Sequence, residues 1–366
     1  MKSQPRIRVG KHQRVGVIVT TSEEDVPRDQ MFALSQFDYR GAIHSESPGD
    51  YVEWLIKRCG TVIRPNEISG FDILDGTLWR NRAIPDEYEH HWSAPIFDDE
   101  TEVKGVGVTY KGSRDYRERS KSGGDTSTNV AWNQPFKLEG GQTLGYSVVR
   151  MYDYAYQGPR PEIFDKAVGI QRMRIAGPGQ FLGLRTDSNV MVNEGEIGLI
   201  IDSFGRIVGW FIGNDFTDSE LEAECALYLP EAKCFTRCVG LSPWIVLFHE
   251  PSELDDPRKP LSLKTRLSLT TYDRNDGSKY EDGSYLLEEM QRDPHELAWW
   301  AGLNHEYPAG LMALCGTGLA KGKSIKEQHI VHIHSEGIGT LINPTRRLTD
   351  RRPRPSTVTT RSFKLA

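Results

Sequence analysis

Long apolar runs are missing from this chain. Those present, such as residues 244–248, fall far short of the roughly 20 residues a membrane-spanning helix needs. Charge of one sign is not in large excess either. Lys and Arg number 45 against 51 Asp and Glu, a net −6 at pH 7. That balance gives no footprint for nucleic acid or for an anionic membrane surface. The first residues, Met1-Lys-Ser-Gln-Pro-Arg-Ile-Arg, carry charge but no apolar h-region, so no secretory signal is expected. Cysteine is scarce, with five residues at 59, 225, 234, 238 and 315. An odd, scattered set is unlike a disulfide framework. Cys234-x-x-x-Cys238 has neither the spacing of a redox pair nor a second Cys pair for zinc, and reads as small buried thiols. These absences point to a soluble protein in a reducing, cytoplasmic setting, and 366 residues are enough to bury a full core.

The most informative stretch is residues 193–215. Residues 196–201 read as a strand, Asp202-Ser-Phe-Gly205 as a turn and residues 206–212 as the returning strand, rich in β-branched and aromatic side chains. Glu194 and Glu196 are two apart, so on an extended chain both carboxylates point to one side. The hairpin brings Asp215 back to the same end. Three gathered carboxylates repel one another unless a cation sits among them, and all-oxygen ligands favour Mg²⁺, Mn²⁺ or Ca²⁺. Spacing alone is equally compatible with solvated glutamates on a strand edge.

Around this stretch the pattern is mostly of strands. Residues 14–20 read as a strand and residues 50–59 as a short helix, and the region up to about residue 100 reads as a small N-terminal α+β portion. His90 and His91, being adjacent, diverge on either kind of element and read as solvated or packing residues. Residues 103–110 read as a strand, residues 111–120 as a charged short helix or turn, and residues 120–145 as a Gly- and Ser-rich loop, either a lid or a surface insertion. Residues 217–228 read as a helix with Leu221 and Leu227 inward, residues 261–272 as a half-exposed strand, and residues 293–303 as a helix. Cys315-Gly-Thr-Gly318 is a tight turn suited to holding an anionic group on its amides. His329, His332 and His334 lie on a strand without a carboxylate among them and read as a polar sheet face. Residues 346–366 are basic, and a disordered tail is expected there.

Seven short motifs then occur in order: Gly107-Val-Thr-Tyr110, Arg160-Pro-Glu-Ile-Phe164, Glu194-x-Glu196, Gly213-Asn-Asp215, Leu227-Tyr-Leu-Pro-x-Ala-Lys233, Gly316-Thr-Gly318 and Gly337-Ile-Gly-x-Leu341-x-Asn-Pro344. Through them, over roughly residues 100–345, the chain resembles the fumarylacetoacetate hydrolase superfamily. The resemblance implies an α+β, mainly β fold, a mixed β-sandwich roll with peripheral helices, and usually a homodimer. It divides the chain into a small N-terminal domain (1–100), a catalytic domain (101–345) and the tail. It also implies that Glu194, Glu196 and Asp215 hold Mg²⁺ or Mn²⁺.

The acylpyruvate-cleaving members carry a His where this chain has Ser113, and Ser without its own base does not take up a proton near pH 7. Gly-Val-Thr-Tyr followed by Ser113-Arg114-x-x-Arg117, together with Arg185-x-Asp-Ser188 and the Lys233 motif, is instead similar to the 2-keto-3-deoxy-sugar-acid dehydratase branch. The chain departs from that branch at Ser219, where an Arg is usual, and at Phe164-Asp165-Lys166. The implied reaction is dehydration of a small 2-keto acid whose C1 carboxylate and C2 keto oxygen meet the metal. Lys233 is the candidate base or enolate charge partner, with a lowered pKa if it is to act as base. Glu162 is the candidate acid for the C4 hydroxyl. Lys166, Arg185, Thr317 and Ser113 are candidates for substrate binding, Thr317 with its neighbouring amides on the carboxylate. Acylpyruvate hydrolysis, isomerisation or decarboxylation through the same enolate is the alternative, and a catalytically silent binding protein a third reading.

Overall fold

A computed structural model of the chain describes residues 6–12, 15–21, 28–33, 92–96, 100–121, 136–137, 143–144, 152, 155–242, 244–247, 264–319, 322–335 and 338–349. The expected helix at 50–59, His90 and His91, most of the 120–145 loop and nearly all of the basic tail lie outside these residues.

The hairpin forms as its sequence suggests, with Gly195–Ile201 antiparallel to Ile207–Asp215 and Glu196 opposite Gly213. In the turn, the Asp202 carboxylate accepts from the amides of Phe204 and Arg206 (2.9 and 3.0 Å), and Gly205 takes φ +81°, which a Cβ would disfavour. Every residue of both strands is buried, and that is why they read as continuous apolar runs rather than as alternation.

Among the described residues, the hairpin lies in the middle of a 12-stranded mixed sheet. Its main path runs Arg28–Ala33, Val15–Thr21, Arg6–His12, Trp244–Leu247, Ile207–Asp215, Gly195–Ile201, Leu311–Leu314, Glu102–Gly107 and Glu162–Val168. All neighbours on this path are antiparallel except Leu311–Leu314 with Glu102–Gly107. The three N-terminal strands continue the same sheet, Ile7 lying opposite Leu247. A second sheet of five strands includes Arg266–Asp273, Lys279–Leu286, His329–Ser335 and Gly339–Arg347. It packs on the hairpin, with Leu267, Leu269, Val331, Ile333 and Leu341 sharing one buried cluster with Ile197, Leu199 and Ile212. The chain is thus mainly β with short helices, as expected.

Glycine decides how closely these strands pack. Gly105 faces Phe164, Gly107 faces Glu162 and Gly198 faces Phe211 across their ladders. In each pair the larger side chain folds over the glycine, so that an added Cβ would stand 2.3, 1.9 and 2.1 Å from it. At Gly107 the group folded over is a carboxylate, which seats Glu162 on the sheet.

Two sequence expectations need correction. Residues 217–228 are not one helix. Thr217–Asp218 pairs with Met191–Val192, and then come a helix Ser219–Glu224, a 3₁₀ turn Ala226–Tyr228 and a second helix Leu229–Lys233. Asp218 caps the first helix by accepting from the Leu221 amide at 3.0 Å, whereas Pro230 is tolerated only in a first turn and forces the restart. Leu227 consequently points outward, 84% exposed. The charged segment after Tyr110 is a helix, Lys111–Lys121.

Gly198→Ala should lower stability by about 1–3 kcal/mol in urea unfolding, because the Phe211 ring is walled in and has nowhere to move.

Candidate metal centre and active site

Glu194 and Glu196 leave one end of the first hairpin strand, and Asp215 ends the second. Their candidate ligand oxygens all lie within 4.8 Å of one another. The end is locked by short bonds: the Asp215 amide donates to the Glu194 carbonyl at 2.9 Å and the Glu194 amide to Asn214 Oδ1 at 3.1 Å. The Asn214 amide group donates in turn to Asn193 Oδ1 at 3.0 Å.

Each carboxylate has different company. Asp215 meets two wholly buried lysines, Lys166 Nζ at 2.5 Å and Lys233 Nζ at 2.9 Å. Burial alone would raise its pKa, but Lys166 and Lys233 outweigh burial and hold it at about 2. Glu194 takes Lys233 at 2.6 Å on one oxygen and lies 3.6 Å from Arg117 on the other. Burial, aided by Asp215 and Glu222, still pushes Glu194 up. Glu196 accepts the Gly316 amide at 2.8 Å. Burial first, then Asp215 and Glu194, push it well above the usual range.

A second cluster adjoins the first. Arg117, on the inner side of its helix, meets Glu162 at 2.9 Å, Glu222 at 3.1 Å and Glu194 at 3.6 Å, with the Tyr152 ring 5.7 Å away. Among the described residues, five largely buried carboxylates (Glu162, Glu194, Glu196, Asp215 and Glu222) face three buried cations (Lys166, Lys233 and Arg117). With all five carboxylates ionised, the deficit is two positive charges. Buried charge without compensation is costly, and a divalent ion supplies the missing amount on the hard oxygen ligands it prefers. The residues therefore fit a divalent cation.

The structure brings Lys233, Lys166 and Glu162 to this end of the sheet, but not in every expected role. Burial acts to lower the Lys233 pKa, yet Asp215, Glu194 and Glu222 outweigh it and raise the value, the reverse of the depressed lysine expected of a base. Its ammonium also donates to Thr217 Oγ1 at 2.8 Å. Lys166 is turned to Asp215 and to the Phe216 carbonyl (3.3 Å), so it supports a ligand instead of facing open space. Arg185 is paired with Asp187, Asp218 and Glu231 at 2.7, 3.0 and 3.2 Å, and it anchors the helix cap. The 315–318 turn does hold an anion on an amide, but that anion is Glu196. Thr317 Oγ1 accepts from the Leu319 amide at 3.3 Å. Ser113 is buried in the first turn of its helix.

Sequence reasoning gave no role to Arg117 beyond its place in a motif and passed over Glu222. A signal for Lys166 was present: Glu162, Phe164 and Lys166 are two apart and share one strand face, with the Lys233 ammonium 5.0 Å over the Phe164 ring. Glu222 offered none, since a glutamate on a six-residue helix reads as solvated. Of the three histidines, His329 stacks on Tyr280 with ring centroids 4.0 Å apart and His334 bonds Thr340 at 2.9 Å. Among the described residues, Glu194, Glu196 and Asp215 form the one group arranged to hold a metal.

Comparison with known proteins supplies the family. The family model described as fumarylacetoacetate (FAA) hydrolase C-terminal matches residues 173–346. A 2-dehydro-3-deoxy-D-arabinonate dehydratase of Saccharolobus solfataricus is 31% identical over 252 residues, which cover 68% of this chain and 73% of the relative. A Haloferax volcanii protein named "Probable 2-keto-3-deoxyxylonate dehydratase" is 31% identical over 276 residues, 74% of this chain and 81% of that one. Among solved structures, 2-keto-3-deoxy-D-arabinonate dehydratase complexed with magnesium and 2,5-dioxopentanoate shares the fold, with a TM-score of 0.62, 23% identity, and coverage of 95% of this chain and 100% of that one.

A pH prediction follows from Glu196. Its folded pKa is raised above the ordinary 4.5, so its contribution is fully present below that value and is lost as pH rises through the folded pKa. In chelator, the melting temperature should fall as pH rises above the ordinary carboxylate range, more steeply in the wild type than in Glu196→Gln. Saturating Mg²⁺ should remove the difference in slope, as thermal melts over that rise in pH would show.

Proposed function

The chain belongs to the fumarylacetoacetate hydrolase family, and from that premise we propose that it is a metal-dependent hydro-lyase that removes water from a 2-keto-3-deoxy sugar acid. The observation that carries the reading is the buried carboxylate triad, set in a cluster of five carboxylates and three cations that includes Glu162. Two relatives at 31% identity with dehydratase names supply the reaction class. We read the two packed sheets as the family's mixed β-sandwich roll, and the protein as a cytoplasmic enzyme with a small 2-keto acid as its partner.

A divalent ion, Mg²⁺ in our reading, would be held by Glu194, Glu196 and Asp215 and would act as a Lewis acid toward the C1 carboxylate and C2 keto oxygen of the substrate. Lys166 keeps Asp215 ionised, and the Gly316 amide keeps Glu196 aimed inward. Lys233, held as a cation by Glu194 and Asp215, serves as the charge partner of negative charge at C2. Glu162 takes the C3 proton and passes it to the C4 hydroxyl as the C4–O bond breaks, so that the hydroxyl leaves as water and the carboxylate is restored. The buried setting of all these groups keeps bulk water from competing. For a 2-keto-3-deoxypentonate, loss of one water followed by tautomerisation gives a 2,5-dioxo acid. Ser219 stands where the dehydratase branch usually has an Arg, which makes the substrate's far end the place where selectivity can differ.

The reading is tested by NMR in D₂O with Mg²⁺, offering a 2-keto-3-deoxypentonate in one sample and an acylpyruvate in another. The expected result is loss of the C4 hydroxyl with an aldehyde signal from the pentonate, and an intact acylpyruvate. Glu162→Gln should slow water loss by about 100-fold or more, the scale of a lost general acid. Cleavage of the acylpyruvate with the pentonate untouched would replace this reading by hydrolysis.

A further inference from the structure

Glu162 and the metal ligands come from different strands, and among the described residues Arg117 is the side chain that meets both groups. Its Nη1 meets Glu162 Oε2 at 2.9 Å, while its Nη2 lies 3.1 Å from Glu222 Oε1 and 3.6 Å from Glu194 Oε1. We propose that Arg117 and Glu222 are a positioning pair that sets where the Glu162 proton donor stands relative to the metal-bound end of the substrate.

The geometry carries the argument in three steps. A guanidinium is a planar fork with fixed angles, so one arginine bound to two carboxylates fixes their separation more firmly than a lysine, which can still draw both by charge. Arg117 is itself held, being almost wholly buried on the helix Lys111–Lys121 beside the Tyr152 ring. Glu222 shares the buried face of its short helix with Ser219 and draws Nη2 closer to itself than to Glu194. Arg117 is thereby kept from settling on Glu194 Oε1, while Lys233 holds the other oxygen of that ligand. Glu222 thus decides how the arginine divides itself between proton donor and metal ligand. Neither residue needs to touch substrate. Both act through Glu162.

The proposal rests on the dehydratase reading, and full-length protein tests it through two separate readouts: Mg²⁺ binding by calorimetry, and kcat and KM for water loss from a 2-keto-3-deoxypentonate. Arg117→Met removes a cation beside Glu194, so Mg²⁺ should bind as tightly as in the wild type or more tightly. In the same variant kcat should fall about 100-fold with KM changed less than about threefold, the pattern of an interaction that matters in the transition state. Arg117→Lys should recover at least about tenfold of that loss by restoring charge without the fork. Glu222→Gln should cost about tenfold in kcat with Mg²⁺ binding retained, and it carries the test if Arg117→Met does not fold.

Three results would overturn the proposal: Mg²⁺ binding that weakens in step with kcat, a Lys variant no better than the Met variant, or wild-type kcat in Glu222→Gln. Failure of the dehydratase reading shows earlier and separately, as a wild-type chain that binds Mg²⁺ yet releases no water from the pentonate, and the positioning role then falls with it.

Discussion

Five carboxylates and three cations, nearly all closed off from solvent, meet at one end of a β-hairpin, and their imbalance of two charges is the constraint on which the other features of the site depend. Such a cluster is unfavourable in a low-dielectric interior unless every member is paired and the remaining charge is met. Lys166 and Lys233 converge on Asp215, Lys233 also serves Glu194, and the Gly316 amide serves Glu196. The strain stays on Glu194 and Glu196, whose pKa values rise, and these are the ligands a divalent cation would relieve. A site of this kind trades apo-state stability for a strong, localised demand for metal.

The fold supplies that cluster through backbone register more than through loops. Glycines opposite Phe164, Glu162 and Phe211 let large side chains fold back across the sheet, and one of these pairs seats the proposed acid. On the strand Glu162–Val168, residues two apart deliver Glu162 to Arg117, Phe164 to the face of Lys233 and Lys166 to Asp215. A single strand face therefore connects the proposed proton donor, the enolate partner and the support of a metal ligand. Groups fixed on strands keep their spacing better than groups on connecting segments, as a reaction that needs two carboxyls at set positions requires.

Much of this arrangement is legible in the sequence, because it follows from period-two geometry and turn chemistry. Glu194 and Glu196 lie two apart ahead of an apolar strand, the Asp202–Gly205 turn returns the chain, and Asp215 arrives at the same end. The roles of the cations are not legible in this way. A lysine's pKa depends on what faces it from distant segments, so Lys233 reads as a base or an enolate charge partner in the sequence, and in the fold it stands as a fixed cation among acids. Arg117 and Glu222 belong to two helices remote in sequence that meet only in the folded chain. The break at Cys225, which splits one expected helix and turns Leu227 outward, depends on the Asp218 cap and on Pro230, weak local signals that a count of apolar spacing overrides.

The central claim is that the buried excess of carboxylate is the seat of one divalent ion. Calorimetric titration of chelator-treated protein with Mg²⁺, on the wild type and on Glu194→Ala, tests it most directly. The account predicts one ion bound per wild-type chain and binding lost or weakened by at least about 100-fold in the variant. Equal Mg²⁺ affinity in the two proteins, or no saturable binding in the wild type, would contradict it.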